Sequence, residues 1–398
     1  MISRRNLLRR IGAAATAAAS VPSLTEASIA AALGNDVATA GGSWPGGLVR
    51  LNRNENAYGP SPKTIAAMLD AAEHAAHRYP EVEAEALRNK IALCHGVNAE
   101  QVILGCGSGE ILRMATGAFL GSGKLLIVAR PTFGLIGDYA QRTGADVVAV
   151  PLSKDHAHDL PAMLARSDSA TGLVYICNPN NPTGSLTRRR DIEAFIRQLP
   201  ETTYVLIDEA YHHYVGASSD YASFIDRPID DSRVIVTRSF SKIYGLAGLR
   251  VGYAIATPQT ARALASCRLS EAVNAVAARA AVTALDDAEH VRMSANRNAD
   301  DRQEFLNQAN ARMLRAIDSQ ANFVMVNTER PALEVIEQFR KHDVVLCQPF
   351  PGFEQHIRVS LGTPLEMREF WQIWDLMPVH PMSMSPRLVP FGGVSSPK

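Results

Sequence analysis

The chain has 398 residues, and its 40 basic and 40 acidic side chains give a formal net charge of zero. This balance provides no general attraction to nucleic acid or to an acidic membrane surface. No apolar run after the N-terminus is long enough to span a bilayer. The five cysteines are scattered, odd in number and without metal-ligand spacing, so neither a disulfide scaffold nor a metal site is predicted.

The first 32 residues have the three-part layout of a secretory signal. Residues 1–10 are basic, residues 11–24 are alanine-rich and weakly apolar, and residues 30–32 offer a small-residue cleavage site. The stretch from Ser3 to Arg9 resembles the twin-arginine (Tat) export motif. We therefore predict recognition by the Tat machinery, a periplasmic location and a mature chain that begins near Leu33. A basic amphipathic N-terminal helix is the alternative.

The rest of the chain is long enough for two domains. Composition predicts a linker at 33–50 and a tail at 377–398. From about residue 259 to 310 the alanine and arginine-rich sequence has helical spacing throughout, and part of it should form a long helix joining the domains.

Through the middle of the chain, short apolar runs alternate with helical stretches, and several runs end in polar residues. Ser108 and Gly109 follow one such run in a glycine-rich turn, and Asn181, Asp208 and Lys242 follow three others. This alternation indicates right-handed βαβ units in a mostly parallel sheet, with the site at the carboxyl ends of its strands. A glycine-rich turn opening a helix can bind a phosphate.

Lys242 lies between two apolar runs, where it loses water. Burial lowers the pKa of a lysine and makes its amine a nucleophile toward carbonyls. Ser239, Ser241 and Arg250 add hydroxyls and a guanidinium that suit a phosphate. For this stretch taken alone, the alternative is a glycine-rich turn with an incidental lysine. For Asp208, the alternative is an aspartate at a strand end that caps the next turn.

Six stretches carry a resemblance to a known family. They are Asn54–Pro62, Arg78–Glu81, Gly105–Leu112, Asn178–Gly184, Asp208–Tyr211 and the pattern Ser-x-Ser-Lys-x-x-Gly-Leu-x-Gly-x-Arg-x-Gly from Ser239 to Gly252. Together they resemble the fold-type I pyridoxal-phosphate (PLP) aminotransferases, and especially the branch that contains the histidinol-phosphate aminotransferases. The resemblance implies an α/β fold with a large, mostly parallel sheet domain at 86–285. It also implies a small α/β domain built from both chain ends, with an N-terminal part at 51–85 and a C-terminal part at 286–376.

The same resemblance implies a role for each candidate residue. Lys242 would form the Schiff base with PLP, Asp208 would pair with the pyridine nitrogen, and Asn181 and Tyr211 would contact the phenolic oxygen. Phe133 would lie against the ring. The remaining implied contacts are phosphate binding by Ser108, Gly109, Ser239, Ser241, Arg250 and Tyr79 of the partner subunit, and substrate binding by Tyr58 and Arg358. The contribution of Tyr79 implies a homodimer with shared active sites.

The predicted activity is transfer of an amino group from an amino acid, or a similar amine, to a 2-oxo acid. A decarboxylase or β-lyase on the same fold, or a PLP-binding protein without turnover, remains an alternative because the sequence does not fix which substrate bond breaks. One departure concerns the donor. The related branch often has arginine before a Pro-Phe-Pro segment, whereas this chain has the neutral Gln348. A phosphorylated or dicarboxylic donor would lose a charged contact there.

Overall fold

The structure is a computed structural model that describes residues 47–378. The predicted signal at 1–32, most of the linker and the tail from residue 379 lie outside the described residues. The strands are β1 Val49–Arg50, β2 Val102–Gly105, β3 Leu125–Arg130, β4 Asp146–Pro151, β5 Thr171–Cys177, β6 Tyr204–Asp208, β7 Val234–Ser239, β8 Gly252–Ile255, β9 Arg315–Ala316, β10 Phe323–Asn327, β11 Val344–Val345 and β12 His356–Ser360.

The α-helices are α1 Pro62–His74, α2 Glu81–His95, α3 Ser108–Phe119, α4 Leu135–Arg142, α5 Leu160–Leu164, α6 Arg189–Gln198, α7 Pro258–Ala265, α8 Ala275–Asp286, α9 Ala288–Ala311, α10 Ala332–Arg340 and α11 Pro364–Asp375. Several begin at strong sequence signals. Ser61 caps α1 ahead of Pro62, and Thr363 with Glu366 forms a capping box at the start of α11.

Seven strands form the main sheet, in the order β2-β8-β7-β6-β5-β3-β4. The strands from β7 to β4 in this order pair in parallel, whereas β8 is antiparallel to both β2 and β7. Alternate side chains of the central strands enter two separate apolar clusters, one containing Val205 and Ile207 and the other Leu206. The predicted α/β fold with a mostly parallel sheet is confirmed.

A second group of strands brings together distant parts of the chain. Strands β12, β10 and β9 form an antiparallel sheet, and β1 pairs in parallel with β11. Their shared core joins Val49 and Leu51 to aromatic residues that follow residue 300, among them Phe305, Phe339 and Phe370. Residues at the start of the described chain therefore pack against residues near its end. The exact domain boundaries stay a prediction.

The stretch that we expected to be helical throughout, 259–310, is instead three helices. The chain leaves helix between α7 and α8, at residues 266–274, and again at Asp287 before the 24-residue α9. Asn274 caps the N-terminus of α8 by accepting from the backbone N–H of Ala277, which fixes where α8 begins. No helix between residues 47 and 378 is long and apolar enough to cross a membrane.

Candidate active site

The carboxyl ends of three adjacent strands place the candidate residues on one edge of the main sheet. Asp208 ends β6, where it is in register with Cys177 of β5 and Thr237 of β7. The Asn178–Gly184 loop follows β5, and Lys242 lies three residues after the end of β7. Because these strands are parallel neighbours, residues separated by more than 60 positions in sequence converge.

Asp208 is 3% exposed and accepts two hydrogen bonds, from the Tyr175 hydroxyl at 2.8 Å and from the Ala210 N–H at 3.0 Å. Burial raises the pKa of this carboxyl to about 6, against the lowering effect of those two donors and of Lys242. The residue is therefore a carboxylate that would gain from a cationic partner.

The Lys242 ammonium donates to two backbone carbonyls, those of Arg53 at 3.1 Å and Asn54 at 2.9 Å. Loss of hydration, followed by the positive charge of Arg358, lowers the pKa of Lys242 to about 7. A sizeable fraction of this amine is therefore neutral near pH 7. The charges of Lys242 and Asp208 each influence the other's pKa, so the two groups share one region.

The Tyr211 hydroxyl accepts hydrogen bonds from two amides, Asn54 Nδ2 at 3.0 Å and Asn181 Nδ2 at 3.3 Å. Its ring lies 5.5 Å from the Lys242 ammonium and edge-on to Phe323. Burial raises the pKa of Tyr211, so this hydroxyl keeps its proton at neutral pH and can donate it to an acceptor.

Arg358 lies on β12 and is 7% exposed. Its guanidinium donates to Asn181 Oδ1 at 2.6 Å and to the Asn52 carbonyl at 2.7 Å, while the buried Nε has no hydrogen-bond partner among the described residues. Two rings flank it, those of Phe323 and Phe350, at 5.4 and 5.2 Å. A buried guanidinium with unused donor capacity is suited to bind a carboxylate.

A phosphate-sized cradle surrounds the start of α3. No side chain caps this helix at Gly107, which has a φ of +73°, and a Cβ on Gly107 would lie 2.2 Å from Nη2 of Arg250. Arg250 also donates to Ser241 Oγ at 3.2 Å, and the Ser239 hydroxyl accepts from the Ser241 N–H. The helix N-terminus, the guanidinium and the hydroxyls converge as an anion site requires.

Three further candidate residues, Phe133, Tyr79 and Tyr58, are not among the groups described above. Phe133 is 36% exposed and Tyr79 is 76% exposed. The Tyr58 hydroxyl donates to Asp301 Oδ2 at 2.8 Å, and the guanidinium of Arg297 lies 4.3 Å from the Tyr58 ring centroid. The roles given to these three residues by the resemblance therefore stay predictions.

Sequence reasoning missed three residues that shape the site: Asn54, Tyr175 and Asn322. Asn54 binds Tyr211, Tyr175 binds Asp208, and Asn322 Nδ2 donates to the carbonyls of Asn54 and Glu55. The available signal for Asn54 was its place in a stretch that resembles the family, Asn54–Pro62. Tyr175 falls inside an apolar strand and gives no signal.

The residues present fit PLP. An amine and a carboxylate lie at one sheet edge, and the space over Gly107 is filled by a guanidinium instead of a side chain of its own. Lys242 would hold the aldehyde carbon, Asp208 the ring nitrogen, and Asn181 and Tyr211 the phenolic oxygen. Phosphate would be held by Ser108, Gly109, Ser239, Ser241 and Arg250. Between residues 47 and 378 no cluster of three potential ligands could hold a metal ion.

Comparison with known proteins gives consistent matches. The profile of the family "Aminotransferase class I and II" matches residues 47–373. The chain is 37% identical over 326 residues to the histidinol-phosphate aminotransferase of Symbiobacterium thermophilum, covering 81% of this chain and 88% of that protein. It is 38% identical over 323 residues to histidinol-phosphate aminotransferase 2 of Carboxydothermus hydrogenoformans, with coverage of 81% and 88%.

A solved structure shows the same fold. The histidinol-phosphate aminotransferase of Sinorhizobium meliloti, crystallised in complex with pyridoxal-5'-phosphate, superposes with a TM-score of 0.77 at 28% identity. The superposition covers 83% of this chain and 92% of that one.

Proposed function

The chain belongs to the class I and II aminotransferase family and is a PLP-dependent transaminase, and on that premise we propose that its preferred amino donor is an amino acid with an uncharged side chain. The observation that carries the proposal is the site of Arg358. Its buried guanidinium can bind one carboxylate, and the rings of Phe323 and Phe350 beside it are apolar. The position where the related branch often has a second arginine is the neutral Gln348.

The reaction needs a group that moves a proton at the donor's α-carbon. When bound, PLP supplies the ring that stabilises the negative charge left at that carbon. Lys242, with its lowered pKa, is the group that takes this proton and returns it. With PLP bound, Asp208 would hold the proton of the ring nitrogen, and the Tyr211 hydroxyl would donate to the phenolic oxygen.

The alternatives of decarboxylation and β-elimination are less well supported, because the matching relatives are named aminotransferases. The same names make histidinol phosphate the second candidate donor. Its phosphate takes the position of an amino acid's carboxylate and can carry two negative charges, and Gln348 adds no positive charge to that of Arg358.

A donor screen with a panel of 2-oxo acid acceptors tests this choice. We expect kcat/KM for phenylalanine or leucine to exceed that for histidinol phosphate by at least about ten-fold, since one missing charged contact is worth about 1.5–3 kcal/mol. Gln348→Arg should lower the ratio of kcat/KM for phenylalanine or leucine to kcat/KM for histidinol phosphate. Higher kcat/KM for histidinol phosphate with the unaltered protein would contradict the proposal and favour the second candidate.

We also propose that the enzyme is a homodimer to which each subunit contributes Tyr79. This side chain is 76% exposed, and the nearby Val82 and Leu269 are 76% and 58% exposed. Exposed apolar side chains of this size fit a surface that another copy covers. Light scattering should give the mass of a dimer, and Tyr79→Phe should weaken PLP binding. An active monomer would contradict the proposal.

The location that we propose is the periplasm, reached by the Tat route. Support comes from the sequence of residues 1–32 and from the start of the family match at residue 47, after this segment and most of the linker. The Tat system carries folded proteins, so PLP could be inserted before export. Replacing Arg4 and Arg5 with lysine should retain the protein in the cytoplasm. N-terminal sequencing of native protein that found Met1 or Ile2 would overturn the proposal.

A further inference from the structure

Asn54 has an unusual position between three parts of the site. It is 1% exposed and has a φ of +54°, a left-handed conformation that asparagine tolerates better than most residues. Its backbone N–H donates to Ser360 Oγ at 2.8 Å, and Ser360 Oγ donates to Asn54 Oδ1 at 2.9 Å. Its Nδ2 donates to the Tyr211 hydroxyl at 3.0 Å.

The carbonyl of Asn54 is also fully used. It accepts from Asn322 Nδ2 at 3.0 Å and from the Lys242 ammonium at 2.9 Å. All four polar groups of this residue therefore have partners, and two of those partners, Tyr211 and Lys242, belong to the candidate site. A network in which every buried polar group is satisfied is rigid, and it loses that rigidity when one member is removed.

The backbone conformation and the side-chain contacts depend on one another. A left-handed backbone at residue 54 turns its carbonyl toward Lys242, and the contacts of the side chain with Ser360 and Tyr211 hold that conformation. A second carbonyl, that of Arg53, accepts from the same amine at 3.1 Å. The two carbonyls form a docking point for the amine when it is not bonded to another group.

We propose that Asn54 is a positioning residue for transamination, which orients the Tyr211 hydroxyl through its side chain and, with Arg53, holds the free Lys242 amine through its backbone carbonyl. The amine must stay within reach of the substrate α-carbon while it carries a proton, and displacement by as little as 1 Å lowers such a rate strongly. The proposal rests on transamination as the reaction and is independent of which donor is preferred.

The test uses Asn54→Gly, which removes the side chain but permits the left-handed backbone. The first readout needs no PLP: the pH dependence with which an acylating reagent labels Lys242 in the apoenzyme, followed by peptide mass spectrometry. Carbonyl acceptors favour the charged amine. Without the side-chain contacts the carbonyl of residue 54 is no longer held toward Lys242, so the labelling midpoint should move down by about half a pH unit. In the holoenzyme, kcat should fall by about 10- to 100-fold with KM within about two-fold.

Asn56→Ala is the matched control in the same loop. Asn56 Nδ2 donates to the Ile243 carbonyl and Asn56 Oδ1 accepts from the Tyr58 N–H, so its side-chain hydrogen bonds go to groups other than the Tyr211 hydroxyl and the Lys242 amine. It should lower Tm without moving the labelling midpoint. A second variant, Ser360→Ala, removes two contacts of Asn54 without altering the loop itself and should shift the midpoint in the same direction by less.

The proposal is overturned if Asn54→Gly keeps the wild-type labelling midpoint and kcat, or if Asn56→Ala shifts the midpoint equally. If Asn54→Gly does not fold, an unshifted midpoint in Ser360→Ala has the same consequence. The labelling readout involves no donor, so it stands even if the donor proposed above is wrong.

Discussion

Asp208 and Glu209 are consecutive buried carboxylates with different surroundings. Asp208 accepts hydrogen bonds from one hydroxyl and one N–H, and no cation pairs with it directly within residues 47–378. Glu209 accepts from the guanidinium of Arg238 at 3.1 Å, from Ser223 Oγ at 2.6 Å and from the Phe224 N–H at 2.8 Å. The hydrogen-bonding capacity of the Glu209 carboxylate is used within the fold, whereas the Asp208 carboxylate can still bind a ligand.

The same contrast extends to the neighbours of each residue. The site region contains Lys242 and Tyr211, while the region of Glu209 contains Arg238 and three histidines, His95, His212 and His213. His212 Nδ1 lies 3.0 Å from the Tyr221 hydroxyl, and His95 Nε2 lies 2.8 Å from the Tyr253 hydroxyl. Adjacent positions along β6 and β7 therefore serve reactivity on one side and stability on the other. Substitutions should separate these two roles.

Lys242→Ala should have the largest effect and act on activity alone. Removing the amine takes away both the attachment point for PLP and the proton-transfer group, so turnover should fall by at least about 1,000-fold. Tm of the apoenzyme should not fall, because the change removes a desolvated charge. Lys63→Ala is the control, since the side chain of Lys63 is 72% exposed. Persistent turnover in Lys242→Ala would exclude Lys242 from the reaction.

Arg238→Met should act in the opposite way, on stability. The Arg238 and Glu209 side chains are 4% and 1% exposed, and loss of one member of such a buried pair typically costs about 3–5 kcal/mol. Urea unfolding of the apoenzyme measures this loss. Arg340→Met, which breaks a surface pair with Glu337, should cost much less. The double variant Arg238→Met, Glu209→Leu should recover part of the loss, and equal losses for Arg238→Met and Arg340→Met would contradict the contrast.

Asp208→Asn sharpens the comparison, because it should lower activity and raise the stability of the apoenzyme together. The pKa of Asp208 is raised from 3.8 to about 6 in the folded protein, so the folded state binds its proton more tightly and stability falls as pH rises from about 4 to 6. Above pH 6 this costs about 2–3 kcal/mol, which the asparagine avoids. Urea unfolding at pH 4 and pH 8 should show a gain only at pH 8. An apoenzyme destabilised at pH 8 would show that Asp208 is structural.

The contrast also explains which parts were predictable from sequence. Apolar runs that end in a polar residue mark strand ends in a parallel sheet, so Asp208, Asn181 and Lys242 could be placed at one edge. Glu209 and Arg238 pair although they are 29 positions apart in the sequence. No local sequence pattern predicts a contact of that separation. Asn54 meets Tyr211 and Ser360 across 157 and 306 positions, so its role required the fold. The start of α8 is marked by one side-chain cap, at Asn274.

The smallest expected effect comes from a single histidine of the Glu209 region. Burial and the positive charge of Arg238 lower the pKa of His95 to about 4, that of His212 to about 2 and that of His213 to about 3. The unfolded chain therefore binds more protons below pH 6.5, and stability that is fully present above pH 6.5 is lost as pH falls toward those values. Each histidine should contribute about 1.4 kcal/mol to the loss at pH 5.5. His95→Gln should remove its share and reduce the slope of unfolding free energy against pH between about pH 5.5 and 6.5. An unchanged slope in His95→Gln would mean that the region tolerates protonation. The assignment of His95 to the stabilising region would then fail.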